Sequence, residues 1–257
     1  ALQAPGQSVI RELLPTRNYT ELMLQAFGAD LTTASDQQTI TVAPVPHLQA
    51  QAVAVPGDLS SAAFFLVAGA IVPHSRLTLP ALGLNPTRTG ILRVLEKMGA
   101  RLEVTPAPAV AGEARGTVTI ESGPLRPITL GAKDVPGLID ELPLVALLAA
   151  CANGSSRITG AGELRVKESD RIATVCQELA KLGVAIEELP DGMVITGRPD
   201  WRIKEAVLDS HGDHRIGMML AIAALRATRP LELTGEQAVA VSYPAFFVHL
   251  AQLKGGA

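Results

Sequence analysis

Only two of the 257 residues are cysteine, and only 3% are aromatic. Cys151 and Cys176 sit in separate apolar helical patterns without metal-ligand spacing. They are expected as buried thiols in a reducing compartment, not as a disulfide framework. So few aromatics leave no stacking platform for single-stranded nucleic acid. Charge of one sign is lacking too. The formal net charge is −3, and no Lys/Arg block offers a footprint for nucleic acid or an anionic membrane. No apolar run approaches the roughly 20 residues of a membrane span. There is no glycine-rich dinucleotide loop after a strand, no Walker loop and no serine nucleophile elbow. The opening "ALQAPGQSVIREL" has no initiator Met, no basic segment and no signal-peptide core. It reads as the tail of an interrupted element, so the chain is expected to be a piece of a longer protein.

What is present is a large apolar fraction, 47%, with 18% charged residues, enough for a substantial core. An internal repeat organises it. "YTELMLQAFGADL", "GILRVLEKMGARLEV" and "RIATVCQELAKLGVAIEEL" each carry apolar residues at helical spacing, then Gly28, Gly99 or Gly183, then a strand. Glycine falls where a helix C-cap enters the left-handed region. A second strand follows each time, in "TITVAP", "GTVTIES" and "MVITGRP", and "LPDGMV" adds an Asp-Gly hairpin signal. A second set of helices is apolar all round and therefore buried: "GDLSSAAFFLVAGAI", "LIDELPLVALLAACANG" and "DHRIGMMLAIAALRA". Each begins near an acid (Asp58, Asp140, Asp213) and leads into a strand. The unit reads β-α-β-α-β-β, an α/β fold, with the apolar helix central and the amphipathic helix outside it. Two units and most of a third follow residue 56. Residues 1–56 hold the back end of one more, so a remnant domain at 1–56 and a main domain at 57–257 are expected. "GEARG" and "LPDGM" read as loop tips.

The helix starts carry more charge than caps require. In "LRVKESDR", "LRV" reads as a strand end, and Glu168, Ser169 and Asp170 suit a helix cap or first turn. Lys167 and Arg171 do not, because cations oppose the dipole at a helix N-terminus. Four apart, they can converge on one anion together with backbone N–H groups. "HGDHRIG" repeats the pattern with Asp213, His214 and Arg215; its spacing fits no zinc motif, leaving an anion site or a plain cap. Asp140 is either a cap or a general base toward a hydroxyl. "GLNPTRTG" puts Pro86 at a helix N1 position and Arg88 in its first turn, and "LLPTRNYTE" offers Arg17 in the same way. Three helix starts, one per unit, are expected to aim charge at one place.

Taken together, "PGDLSSAAFFLVAGAI", "GLNPTRTGILRVLEKMGA", "LIDELP", "ELRVKESDRI", "DHRIGMMLAIAAL" and "SYPAFF" resemble the 5-enolpyruvylshikimate-3-phosphate (EPSP) synthase family, in family order across nearly the whole chain. The resemblance implies an inside-out α/β barrel-like pair of domains, each of three such units, with the site in the cleft between them. It implies transfer of the enolpyruvyl group of phosphoenolpyruvate to the 5-hydroxyl of shikimate 3-phosphate, without metal or organic cofactor, in the cytoplasm. By motif, Asp140 matches the acid that binds the shikimate ring hydroxyl and takes its proton. Lys167 matches a shikimate-3-phosphate ligand, and Glu168 the acid that handles the phosphoenolpyruvate methylene. Arg171 and Arg215 match the phosphoenolpyruvate clamp. Arg17 and His214 are further candidates for ligand contact.

Departures accompany the match. The family's "GSKS" loop, its "RPM" region and its "SSQ"-type stretch are not in this sequence. Val241 stands where some members carry Lys, and Glu163 where some carry Asn. The expectation is one nearly complete domain plus a remnant of the other, inactive until joined by an N-terminal half. Two alternatives stay open: the related UDP-N-acetylglucosamine enolpyruvyl transferase, and a non-catalytic domain whose charged helix starts are only caps.

Overall fold

The computed structural model describes residues 1–110 and 112–254. The first elements are β1 (Ser8–Arg11), α1 (Tyr19–Ala26), β2 (Leu31–Thr33) and β3 (Thr39–Val42). They make an antiparallel sheet of order β1-β3-β2, with a small core of Leu31, Ile40 and Val42. Then come α2 (Leu59–Ile71), β4 (Arg76–Gly83), α3 (Gly90–Lys97), β5 (Arg101–Val110) and β6 (Glu113–Glu121). A second round has β7 (Thr129–Leu130), α4 (Leu142–Cys151) and β8 (Gly154–Ile158), followed by a 3-10 turn at Gly162–Val166. It ends with α5 (Arg171–Lys181), β9 (Ala185–Leu189) and β10 (Gly192–Gly197). The third has β11 (Val207–Asp209), α6 (His214–Ala224), β12 (Glu232–Thr234), a 3-10 turn at Glu236–Val241 and α7 (Phe246–Lys254).

The expected β-α-β-α-β-β unit is complete in the second round. Its sheet runs β7-β8-β10-β9, with β7 parallel to β8 and the other pairs antiparallel. In the first round the opening strand shrinks to a parallel bridge, Gly57 to Leu82, beside the sheet β4-β6-β5. In the third, β11 pairs parallel with β12, α7 takes the place of the second helix, and no hairpin follows it among the described residues. The helices α2, α4 and α6 pack against one another at the centre. All ten residues of α4 are buried, and so are all of α2 except Ser61. Burial all round matches their lack of a polar face, so the helices lie inside and the sheets outside, an inside-out α/β arrangement. Arg226 ties the layers together, donating to the Ile71 and Pro199 carbonyls while lying over the Trp201 ring.

Gly28, Gly99 and Gly183 follow α1, α3 and α5 with φ of 86°, 82° and 89°, the left-handed termination that the repeat predicts. Gly183 is the most constrained, since a Cβ there would lie 2.1 Å from the Arg202 carbonyl oxygen. Gly183→Ala is therefore expected to cost more than the roughly 1–3 kcal/mol of the strained backbone alone, read as a lower denaturant midpoint. A midpoint within a few tenths of a molar of wild type would contradict that close approach.

Four local expectations are corrected. "LRV" is not a strand end: its backbone closes a 3-10 turn, with the Leu164 N–H donating to Ala161. "GEARG" is a loop tip only at Gly112, which lies in the β5–β6 turn with φ of 79°; Glu113–Glu121 is strand, and Gly116 pairs with both Leu82 and Pro106. The hairpin turn is Pro190-Asp191 instead of Asp-Gly. Gly192 already pairs with Leu189, and a Cβ there would meet the Ile158 carbonyl at 1.9 Å. Pro86 does not start α3; residues 86–89 form a turn, Thr89 is the N-cap, and Arg88 precedes the helix.

Candidate active site

The mouths of α4, α5 and α6 meet at Asp140. This residue is not a cap: Glu141 holds the N-cap position of α4 and makes no side-chain cap hydrogen bond. Released from capping, the Asp140 carboxylate faces three guanidinium groups. Arg17 Nη2 donates to Oδ2 at 2.5 Å, Arg215 Nη2 lies 3.6 Å from the same oxygen, and Arg171 Nη1 lies 3.9 Å from Oδ1. Arg215 also donates to the Asp140 carbonyl at 3.1 Å. Burial pushes the Asp140 pKa up, but Arg215, Arg17 and Arg171 together outweigh it and hold the carboxyl below its ordinary value.

The other two helix mouths are capped by acids with a double task. Asp213 caps α6 by accepting from the Arg215 N–H at 2.8 Å. It also accepts from Arg171 Nε at 2.8 Å and from Ser169 Oγ at 3.1 Å. Burial raises the Asp213 pKa, but Arg171, the Arg215 N–H and Ser169 together outweigh it and hold the carboxyl below its ordinary value. Asp170, expected in the first turn of α5, is its N-cap, accepting from the Ala173 N–H at 3.1 Å. Arg171 follows as the first helical residue and is 1% exposed, its Nη2 donating to Glu168 Oε2 at 2.6 Å. The cation that opposes the helix dipole is thus balanced by carboxylates on both sides.

Lys167 stands in extended backbone between the 3-10 turn and α5, its Nζ 2.7 Å from Glu163 Oε1. It shares with Arg17, Asp140, Glu163, Val135 and Ile139 the wall of a cavity of about 730 Å³. Glu168 is half-exposed beside it. His214 is half-buried at the first position of α6, and burial together with Arg215 lowers its pKa. The structure therefore gathers Arg17, Asp140, Glu168, Arg171 and Arg215 around one point, with Lys167 lining the same cavity as Arg17 and Asp140. The remaining base of "LRVKESDR", Arg165, is turned away. It clamps the β9–β10 hairpin through Glu188 and the Leu189 and Pro190 carbonyls, and pairs with Asp170.

Two clusters escaped sequence reasoning. Arg88 donates to Ser60 Oγ, which donates to the buried Glu141 carboxyl; burial raises the Glu141 pKa against the pull of Ser60, Arg215 and Arg88. The third acid-led helix mouth, α2 capped by Asp58, connects through Arg88 and Ser60 to Glu141, the residue next to Asp140. The second cluster is centred on Glu178, fully buried in α5. A visible signal existed: Glu178 lies on the apolar stripe of Ile172, Val175 and Leu179. Cys151 and Cys176 are buried and unpaired, their pKa values pushed up to about 12 chiefly by burial. Among the described residues no group of three or more His, Cys, Asp or Glu side chains is placed to hold a metal ion. No described helix is long and apolar enough to cross a membrane.

Buried helices inside, sheets outside and charged helix mouths on one side define the enolpyruvyl-transferase fold. The enolpyruvyl transferase NikO from Streptomyces tendae superposes on 98% of this chain and 56% of its own with a TM-score of 0.79, at 20% identity. Within that fold the chain belongs to the family described as EPSP synthase (3-phosphoshikimate 1-carboxyvinyltransferase), whose model matches residues 1–250. The 3-phosphoshikimate 1-carboxyvinyltransferase of Limosilactobacillus fermentum is 59% identical over 255 residues, 99% of this chain and 59% of that protein. Its counterpart from Lactiplantibacillus plantarum is 55% identical over 256 residues, again 59% of that protein. The solved EPSP synthase of Acinetobacter baumannii matches 98% of this chain and 57% of its own, with 38% identity and a TM-score of 0.89. The chain thus spans about three-fifths of the length of the curated relatives it matches.

Proposed function

We propose that this chain is the C-terminal portion of an enzyme that transfers the enolpyruvyl group of phosphoenolpyruvate to the 5-hydroxyl of shikimate 3-phosphate, releasing phosphate. Residues 57–257 supply one wall of the cleft, and residues 1–56 belong to the domain that supplies the other. The observation that carries this reading is the convergence of Arg17, Arg171 and Arg215 on Asp140, beside a cavity of about 730 Å³ edged by Lys167. Two substrates rich in phosphate and carboxylate need such a cationic wall. Two buried, unpaired thiols support a cytoplasmic setting.

In this reading Arg171 and Arg215 take the anionic groups of phosphoenolpyruvate, and Lys167 and Arg17 face shikimate 3-phosphate. Asp140 accepts the proton of the attacking hydroxyl. Glu168, half-exposed beside Arg171, acts from its protonated form: it delivers that proton to the methylene carbon as the new C–O bond forms and takes one back from the methyl group as the C–O bond to phosphate breaks, while the proton held by Asp140 leaves with the phosphate. Asp140 is a weak base while three guanidiniums hold it. Anions that draw Arg17 and Arg215 away strengthen it where the hydroxyl arrives.

Calorimetric titration with shikimate 3-phosphate tests the assignment, using this chain joined to the remaining two-fifths of the family fold. Lys167→Ala is expected to weaken binding about 10–100-fold, the loss of one charge-assisted contact. Equal heats from wild type and variant would sink the role of Lys167 and favour a chain whose charged helix starts only cap.

A further inference from the structure

We infer that Glu178 is a positioning residue: from inside α5 it locks the turn at 209–212, and through that turn it aims Asp213 and Arg215. The inference rests on the reading of Arg171 and Arg215 as the anion ligands. Both Glu178 oxygens are engaged. Oε1 accepts from Lys181 Nζ and meets His211 Nε2, each at 2.8 Å, while Oε2 accepts from the Asp209 N–H at 3.0 Å. The side chain is fully buried.

The turn it holds is unusual. His211 and Gly212 are consecutive left-handed residues, with φ of 52° and 70°. A non-glycine residue stays there only where its surroundings over-determine it. Glu178 supplies that constraint from one side. The Asp209 carboxylate, accepting from the His211 N–H at 2.8 Å, supplies it from the other. Immediately beyond, Asp213 caps α6 and receives Arg171, and Arg215 reaches Asp140.

Glu178 lies seven residues after Arg171, two turns along one face and about 10 Å away. One helix therefore grips the segment leading into α6 at two points, Arg171 on the Asp213 carboxylate and Glu178 on the backbone before it. A single contact would leave that segment free to rotate about the contact; two fix its orientation. Arg215, whose guanidinium pairs within 4 Å only with Asp140 among the described residues, depends on that orientation.

The test needs no turnover. Nitrogen-15 NMR on the whole chain follows hydrogen exchange of the Arg171 Nε–H and of the amides of Asp209, His211 and Asp213. Glu178→Gln keeps the shape and can still accept from the Asp209 N–H, but it cannot neutralise Lys181. It is expected to accelerate these exchanges at least about tenfold. His211→Ala, which strands no buried charge, is expected to give a smaller acceleration at the same sites and serves if the first variant folds poorly. Ile195→Val, a core change in β10, is expected to leave them unmoved at a similar loss of stability. Unchanged exchange in both Glu178→Gln and His211→Ala, or equal acceleration in Ile195→Val, overturns the inference. Phosphoenolpyruvate added to wild type reports separately on the anion site. If it shifts no arginine side-chain signal while Glu178→Gln still accelerates exchange, positioning stands and the anion reading falls.

Discussion

Arg171→Met is expected to lower the melting temperature by roughly 10 °C, the largest stability loss at any charged position of the site. The reason is Asp213, whose side chain is 0% exposed while that of Arg171 is 1% exposed. Removing one member of a buried pair leaves an uncompensated charge, at a cost of about 3–5 kcal/mol, and a chain of this size loses about 2–4 °C per kcal/mol. The pH dependence identifies the cause. In wild type the native Asp213 pKa lies below its ordinary 3.8. The pairing contribution is thus complete above that value and is lost as pH falls through the lower native one. In the variant, Ser169 Oγ and the Arg215 N–H are the hydrogen-bond donors left to the carboxylate among the described residues, and burial dominates. Its native pKa then rises above the unfolded value, so stability is lost as pH climbs through the new value. Thermal melts from pH 3 to 7 should show the variant losing stability, relative to wild type, as pH rises through that window. Adding Asp213→Asn should recover most of the loss at pH 7. A parallel offset at every pH, with no recovery, would mean that lost packing, not stranded charge, is responsible.

The fold was legible where a physical signal is local. A helix that must stop needs a left-handed residue, and Gly28, Gly99 and Gly183 marked three such stops. Helices with no polar face must be buried, and α2, α4 and α6 are. Short alternating runs misled. "LRV" alternates over three residues, too few to tell a strand from the 3-10 turn that swings Arg165 onto the hairpin. The charges were legible as an excess but not as partners. Arg17 and Asp140 lie 123 residues apart and Arg171 and Asp213 lie 42 apart, distances that no helical or strand period spans. Asp140 looked equally like a cap, because an acid before a buried helix is the ordinary cap pattern. Only the fold shows that Glu141 takes the cap position while Asp140 is turned to the arginines.

Asp140→Asn is expected to move binding and turnover in opposite directions. Joined to the rest of the family fold, the variant should lose about 10²–10⁴-fold in the rate of phosphate release, the usual contribution of a positioned base. A merely structural residue would lower binding along with rate. Here the asparagine is close to the same shape and removes one negative charge from beside three guanidiniums. Arg215 at 3.6 Å and Arg171 at 3.9 Å then face no competing carboxylate at this point, and Arg17 loses the partner that an incoming anion must displace. A unit charge at such a distance near a protein surface is worth up to about 4 kcal/mol before rearrangement. A gain of about tenfold in phosphoenolpyruvate affinity is therefore modest, needing about 1.4 kcal/mol of it. Equilibrium titration of the same preparation used for rates reads both effects. Tighter binding with lost turnover would identify Asp140 as both the resting counter-ion of the arginines and the base they hold in check. Weaker binding would mean that the carboxylate holds the arginines in place for the substrate, and the anion-exchange scheme would fall.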